Sequence, residues 1–258
     1  MTGASGIISV TELPSDGEEM SKITTLSIQT VFRSLTRPVL ELLFPFHCVG
    51  CGREGEVICE SCVDGLRSLE EPFCETCAQP NVRGQCGPCL EHPPAIDGIR
   101  APYLFEGPLR EAVHRLKYRG WRAAAPALGG LLARHLEQRK LSGEVIVPVP
   151  LHSRRLRSRG YNQSNLLARE AGKLLGIPVR EDLLKRANDS PPQVEARNRD
   201  HRRSNVAGSF ESIAEVAGKS VLLIDDVATT GSTLSACAEA LKNAGAAGVW
   251  GLVLGRES

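Results

Sequence analysis

The stretch Val221–Leu234, VLLIDDVATTGSTL, restricts the architecture more than any other part of this 258-residue chain. Val221, Leu222, Leu223 and Ile224 form an uninterrupted apolar run with β-branched ends. Such a run suits a strand buried on both faces of a parallel sheet. Two acids, Asp225 and Asp226, stand side by side after it, followed by a turn of small residues, Ala228, Thr229, Thr230, Gly231 and Ser232. Thr233, Leu234, Cys237 and Leu241 then recur near the 3.6 period up to Gly245, so a helix opens where the turn ends.

This order of elements has a specific chemistry. Backbone N–H groups and hydroxyls at a helix N-terminus favour a phosphate, with a dipole contribution of roughly 0.3–1 kcal/mol. The paired carboxylates would repel that phosphate, but they accept hydrogen bonds from hydroxyls at ~1.5–3 kcal/mol each. A sugar phosphate such as ribose 5-phosphate meets both demands. A P-loop would need a Lys in G-x-x-x-x-G-K-[ST], and a dinucleotide fold would need G-x-G-x-x-G with its acid about 20 residues later. Neither pattern is here; the plain alternative is a βα turn with a Thr N-cap. At Asp225-Asp226-Val227-Ala228-Thr229-Thr230-Gly231-Ser232-Thr233 the chain resembles the phosphoribosyl pyrophosphate (PRPP) loop of the type I phosphoribosyltransferases.

A second feature lies upstream. Eight of the nine cysteines fall into four C-x-x-C pairs, Cys48/Cys51, Cys59/Cys62, Cys74/Cys77 and Cys86/Cys89. Each C-x-x-C turn offers two thiolates to one tetrahedral ion, so four pairs make two Zn²⁺ sites. With no secretory signal in the sequence, metal is expected in place of disulfides. Four-thiolate shells leave no position for a reacting water, so the sites read as structural. Sequential pairing, first with second and third with fourth, is favoured over an interleaved scheme. His47 and His92 flank the array as alternative ligands, and Cys237 reads as a small buried residue in the later helix.

Composition excludes little: apolar residues make up 41% of the chain, charged residues 24%, and the net charge is +1. Residues 1–22 read as a disordered polar tail and 23–46 as an amphipathic helix bent near Pro38. Arg33, Arg37 and Glu41 interrupt its apolar run, so it falls short of the ~20 residues of a membrane span, and a cytoplasmic location is expected. The array occupies 47–95 and a larger α/β domain 96–258.

Within that domain, strands are expected at Arg100–Glu106, Val145–Val149, Gly176–Leu184, Val206–Phe210 and Val249–Leu254. Helices are expected at Pro108–Tyr118, Ala123–Gln138 and Ser164–Leu175. Between strand and helix, Leu151–Gln163 carries Arg154, Arg155, Arg157 and Arg159, whose guanidinium groups match phosphate oxygens. In a parallel sheet this loop and Asp225–Ser232 leave the same edge, which places a candidate pyrophosphate site beside the sugar-phosphate site. The same cations also suit a nucleic-acid backbone. Lys185–Asn205 is basic and lacks apolar periodicity, as a mobile lid or a disordered linker would.

The ordered set of features runs from the cysteine array through Val147-Pro148-Val149-Pro150-Leu151-His152 and Arg159-Gly160-Tyr161-Asn162-Gln163 to Gln193 with Arg202 and Asn205, and then the PRPP loop. Over residues 44–256 it resembles the ComF family, the double-zinc-ribbon phosphoribosyltransferase-like proteins of bacterial competence. After Gln193, Val194-Glu195-Ala196 replaces that family's Leu-Ser step. The resemblance implies a type I phosphoribosyltransferase-like parallel sheet flanked by helices, preceded by a double zinc ribbon. It also implies a role in natural transformation with incoming single-stranded DNA, and cooperation with a competence helicase. As an enzyme, the chain would bind the ribose hydroxyls at Asp225 and Asp226 and the 5-phosphate at Ala228–Thr233. Arg154 and Arg155, with Mg²⁺, would neutralise the pyrophosphate. Gln193 and Arg202 would close the lid, and Lys117 and Tyr118 would line the second-substrate side. The competing readings are a nucleic-acid-binding module without turnover, and a protein that senses PRPP.

Overall fold

The computed structural model describes residues 46–139, 141, 143–187, 208–213 and 216–258. The expected tail over 1–22, the expected helix over 23–46 apart from Phe46, and the lid residues Gln193 and Arg202 lie outside the described residues. In chain order the elements begin with α1 (Glu60–Asp64), α2 (Gly87–Glu91), β1 (Gly98–Arg100), β2 (Tyr103–Leu104) and α3 (Gly107–Tyr118). A 3-10 turn (Arg122–Ala124) leads into α4 (Ala125–Arg139), β3 (Val145–Pro148), α5 (Ser153–Arg159), α6 (Gln163–Leu175) and β4 (Leu184–Arg186). The chain closes with β5 (Phe210–Ser212), β6 (Ser220–Ile224), β7 (Val227–Ala228), α7 (Ser232–Asn243), β8 (Gly248–Leu252) and β9 (Gly255–Arg256).

The centre is a four-stranded parallel sheet ordered β1-β8-β6-β3. Strand β6 is interior, pairing Val221–Ile224 with Val145–Pro148 on one side and Ser220–Ile224 with Gly248–Leu252 on the other. Both faces are covered, which is why the run needs no polar residue. Val221 and Leu223 share one face with Val145, Val147 and Val249, packed on Leu234, Cys237 and Leu241 of α7. On the other face, Ile146 Cδ1 lies 3.6 Å from where a Cβ on Gly172 of α6 would sit. Helices α4 and α6 approach closely, and a Cβ on Gly129 would lie 2.5 Å from Glu170 Cβ. Cys237 is fully buried, and burial raises its thiol pKa well above the usual range.

Because Pro148 pairs with Ile224, the segments after β3 and β6 leave the sheet at one edge, as ligand-binding loops of parallel sheets do. Beyond that edge β2, β9 and β7 form a second, three-stranded parallel sheet. Val227 and Ala228 of the expected ligand loop are therefore strand, paired with Gly255 and Arg256.

Several expected elements differ. Arg100–Glu106 is not one strand but β1 and β2, on different sheets, divided at Pro102, which has no N–H to continue a ladder. Gly176–Leu184 is reduced to a bridge between Val179 and Ile146. Its Pro178 can only accept there, from Ile146 N–H at 2.9 Å. The chain then turns, and Leu184–Arg186 pairs antiparallel with Phe210–Ser212, so the expected Val206–Phe210 strand begins instead at Phe210. The closing strand ends at Leu252 and resumes at Gly255. The arginine-rich connection is itself a seven-residue helix, α5, ended by Gly160 at φ 76.

Candidate ligand site and metal centres

The two acids stand where β6 leaves the sheet, and they occupy different environments. Asp226 is 3% exposed, and its Oδ1 lies 2.7 Å from Lys117 Nζ near the end of α3. Its Oδ2 is buried with no hydrogen-bond partner among the described residues. Asp225 is partly buried; its Oδ1 accepts from the Ser164 hydroxyl at 2.8 Å and from the Asp226 N–H at 2.9 Å. Burial and the neighbouring Asp226 charge push its pKa up to about 7, against the pull of Ser164, the Asp226 N–H and Lys117. One carboxylate is thus neutralised by a lysine and the other is short of compensation, an arrangement that a hydroxyl-bearing ligand would satisfy.

After β7 the chain turns through Thr229 and Thr230. Thr230 Oγ1 accepts from the Ser232 N–H at 3.3 Å and lies 2.7 Å from the Ser232 hydroxyl. The N-cap of α7 is Gly231 at φ 77, and no side chain caps it, so the Thr N-cap alternative is not what forms. A left-handed glycine here lets the loop pass over Ile99, whose Cδ1 would lie 2.7 Å from a Cβ at Gly231.

The segment after β3 supplies the cations. Arg154 and Arg155 are exposed on α5. With Lys117, Arg119, Arg159 and Arg186 they line a cavity of about 820 Å³ that no acid lines among the described residues. Tyr118 stands at its rim, 67% exposed, with the Arg159 guanidinium 5.3 Å from its ring centre. Lys117 lines this cavity and also touches Asp226, so it joins the cationic surface to the acid pair.

Sequence reasoning missed two supports of this edge. Ser164 appeared only as a helix start. Asn162 caps α6, accepting from the Ser164 N–H at 3.0 Å and donating to Val149 O at 2.9 Å, which sets Ser164 against Asp225. Tyr161, buried, hydrogen-bonds through its hydroxyl to Leu116 O and so holds the end of α3 that carries Lys117. The Asn162-x-Ser164 capping pattern was the available signal.

The cysteines form two separate clusters, Cys48, Cys51, Cys59 and Cys62, then Cys74, Cys77, Cys86 and Cys89. This is the sequential pairing, with neither His47 nor His92 included. Within each cluster all four Sγ atoms lie within 4.8 Å of one another. Cys51 and Cys59 are 3.6 Å apart, as are Cys77 and Cys86, close to the ~3.8 Å edge of a tetrahedron with Zn–S bonds of about 2.3 Å. Backbone N–H groups already point at sulfur: Cys59 N–H to Cys48 Sγ at 3.4 Å, and Cys86 N–H to Cys74 Sγ at 3.3 Å. Burial works against the Cys48 thiolate, but the N–H groups of Cys59, Cys51 and Gly50 outweigh it and lower its pKa to about 6. Its neighbours Cys48 and Cys59 push Cys62 up to about 12. The first cluster thus favours the Cys48 and Cys59 thiolates and opposes that of Cys62, and the second favours Cys74 and opposes Cys77 and Cys89; a divalent ion removes that conflict, so the donors fit zinc.

Residues 39–92 match the double zinc ribbon domain family, and residues 127–254 match the phosphoribosyl transferase domain family. Competence protein F of Haemophilus influenzae is 31% identical over 226 residues, covering 81% of this chain and 97% of that protein. The chain belongs to the ComF family. The DNA utilization protein YhgH of Escherichia coli K12 is 32% identical, covering 74% of this chain and 87% of its own length. Competence protein ComFC of Bacillus subtilis is 27% identical, covering 74% of this chain and 80% of that one. Among solved structures, a purine phosphoribosyltransferase from Pyrococcus horikoshii shares 22% identity with a TM-score of 0.33, covering 53% of this chain and 73% of its own. In this ComF-family chain, no helix among the described residues is long and apolar enough to cross a membrane.

Proposed function

We propose that the chain binds PRPP or a related ribose phosphate at Asp225–Thr233 and supports the handling of incoming single-stranded DNA in natural transformation. The observation that carries the ligand reading is the acid pair: a buried Asp226 oxygen without a partner beside a carboxyl held at about 7. Ribose 2′- and 3′-hydroxyls donate to such oxygens, and the start of α7, whose N-cap Gly231 has no side chain, favours the 5-phosphate. A pyrophosphate would lie towards Lys117, Arg154 and Arg155, bringing Mg²⁺ as its counter-ion. The relatives named for competence and DNA utilization support the biological setting.

The cations that line this cavity also favour a longer polyanion. Single-stranded DNA would place phosphates on Arg119, Arg154 and Arg155 and a base against Tyr118. Calorimetry with PRPP and Mg²⁺ tests the first reading. Binding that disappears in the double variant Asp225→Asn, Asp226→Asn is expected, and no heat at millimolar ligand rejects it. Pyrophosphate release dependent on the same acids would make the chain an active phosphoribosyltransferase. For DNA, replacing Arg154 and Arg155 by Ala should reduce the salt slope by about 1.4, at ~0.7 per phosphate contact; an unchanged slope rejects the cavity as the contact surface.

A further inference from the structure

The second ribbon meets the ligand loop through one buried side chain. Arg256 of β9 is 3% exposed. Its Nε donates to Cys77 O at 2.9 Å and its Nη2 to Gln79 Oε1 at 2.6 Å, both in the second ribbon. Its Nη1 donates to Ala228 O at 3.3 Å, in the loop, and to the Glu257 carbonyl at 2.6 Å. Every acceptor is a neutral oxygen. A guanidinium taken out of water needs a compensating charge, and the cluster that includes Cys77, whose carbonyl Arg256 holds, supplies one when it is loaded. Four thiolates around one divalent ion carry two net negative charges.

Two further contacts run alongside. Thr76 O, between the knuckle cysteines Cys74 and Cys77, accepts from Ile99 N–H at 2.8 Å, and Ile99 Cδ1 lies directly under Gly231. A cavity of about 160 Å³ separates Cys77, Cys89 and His92 from Thr230, Gly231 and Ser232. The loop is therefore supported from the ribbon side by the knuckle backbone, by Ile99 and by a cation that the loaded cluster stabilises.

We infer that Arg256 couples the second zinc cluster to the ribose-phosphate loop, so that metal at the ribbon and ligand at the loop strengthen each other. This rests on the ribose-phosphate reading of that loop. Arg256 touches no ligand; it is a positioning residue whose fork fixes Ala228 and Cys77 together, and Lys cannot span both acceptors.

Linkage is reciprocal, which gives a test that needs no catalysis. The equilibrium partition of zinc between the full-length, zinc-loaded protein and a chromogenic chelator is measured with and without saturating ribose 5-phosphate, a weaker zinc chelator than a pyrophosphate. The sugar phosphate should protect one of the two zinc equivalents about fivefold or more. Protein stripped of that equivalent should bind ribose 5-phosphate more weakly by the same factor. Arg256→Gln should abolish the protection and Arg256→Lys should reduce it, while Arg67→Ala, at the first ribbon, should keep it in full. If Arg256→Gln does not fold, the wild-type linkage and Arg256→Lys decide. Ribose 5-phosphate that binds without changing the zinc partition overturns the coupling and leaves the ligand reading standing. Equal protection of both zincs, or full protection in Arg256→Gln or Arg256→Lys, overturns the route through Arg256. No binding to the zinc-loaded wild type overturns the ligand reading and the coupling with it.

Discussion

In both ribbons the first C-x-x-C closes a tight turn, with Cys48 N–H on Arg53 O and Cys74 N–H on Gln79 O, each at 2.8 Å. In both, the second pair opens a five-residue helix, α1 or α2. The copies differ inside and outside the knuckle. Gly50 of the first ribbon has no room for a Cβ, which would lie 2.7 Å from Cys62 Sγ, whereas Thr76 at the matching position accepts from Gln85 Nε2 at 3.1 Å. Cys51 of the first ribbon is exposed, while Cys77 at the matching position of the second is buried. The first ribbon's tail docks by edge pairing, with Leu69 N–H on Pro102 O and Leu104 N–H on Arg67 O, both at 2.9 Å. The second reaches the ligand loop through Ile99 and Arg256. One building plan therefore serves as a cap on a sheet edge in one copy and as a foundation of the binding site in the other.

The largest effect should come from breaking the foundation. A structural zinc contributes on the order of 10 kcal/mol to its segment, but how much reaches the rest of the fold depends on what the segment supports. Cys74→Ala should lower global stability by at least about 3 kcal/mol and remove hydrogen-exchange protection from the amides of Ala228–Ser232. Cys51→Ala should open its own ribbon and leave protection in the loop. Urea titration with exchange mass spectrometry checks both; equal loss of loop protection in the two variants would erase the distinction between cap and foundation.

The knuckles and β6 were legible because their information is local: a C-x-x-C turn, an apolar run, a change of period at the turn. What joins them was not. Ser164 meets Asp225 across 61 positions and Arg256 meets Cys77 across 179, and neither carries a pattern that names its partner. Strands β2, β7 and β9 are two residues long, too short for any periodicity. Gly176–Leu184 had an acceptable strand pattern, but Pro178 and the turn at Glu181–Asp182 limited it to a bridge. The shared edge of β3 and β6 could be inferred from parallel topology, and for that reason the cations and acids were assigned to one region before any contact was known.

A smaller effect concerns the load the foundation carries. In an unfolded chain Asp225 titrates near 3.9, and in the fold near 7. The folded state thus binds the extra proton between those values, and the stability this supplies is complete below about pH 4 and lost as pH rises through about 7. Asp225→Asn should therefore raise Tm relative to the wild type at pH 8, with the advantage gone near pH 4. Thermal scans across that range test it. A variant less stable than the wild type at pH 8 would mean that the bond from Ser164 outweighs the burial of the charge.

The smallest effect separates the two arginines at the ribbon contacts. Arg67 of the first ribbon's tail lies 3.4 Å from Glu106, and both side chains are more than half exposed. Exposed pairs of this kind contribute about 0–1 kcal/mol and are screened within ~10 Å at 0.1 M salt. Arg67→Ala should shift the urea midpoint by no more than about 0.5 kcal/mol-equivalent, less still at high salt. Arg256→Lys keeps its charge and should cost more, because its energy lies in a fork holding Cys77, Gln79 and Ala228 in one place. The two substitutions separate charge from geometry: one deletes a charge where water already solvates it, the other keeps a charge and deletes the shape that fits it. If Arg67→Ala cost as much as Arg256→Lys, the first ribbon would be bearing load through its tail, and edge pairing at Leu69 and Leu104 would have to be counted as support for the domain.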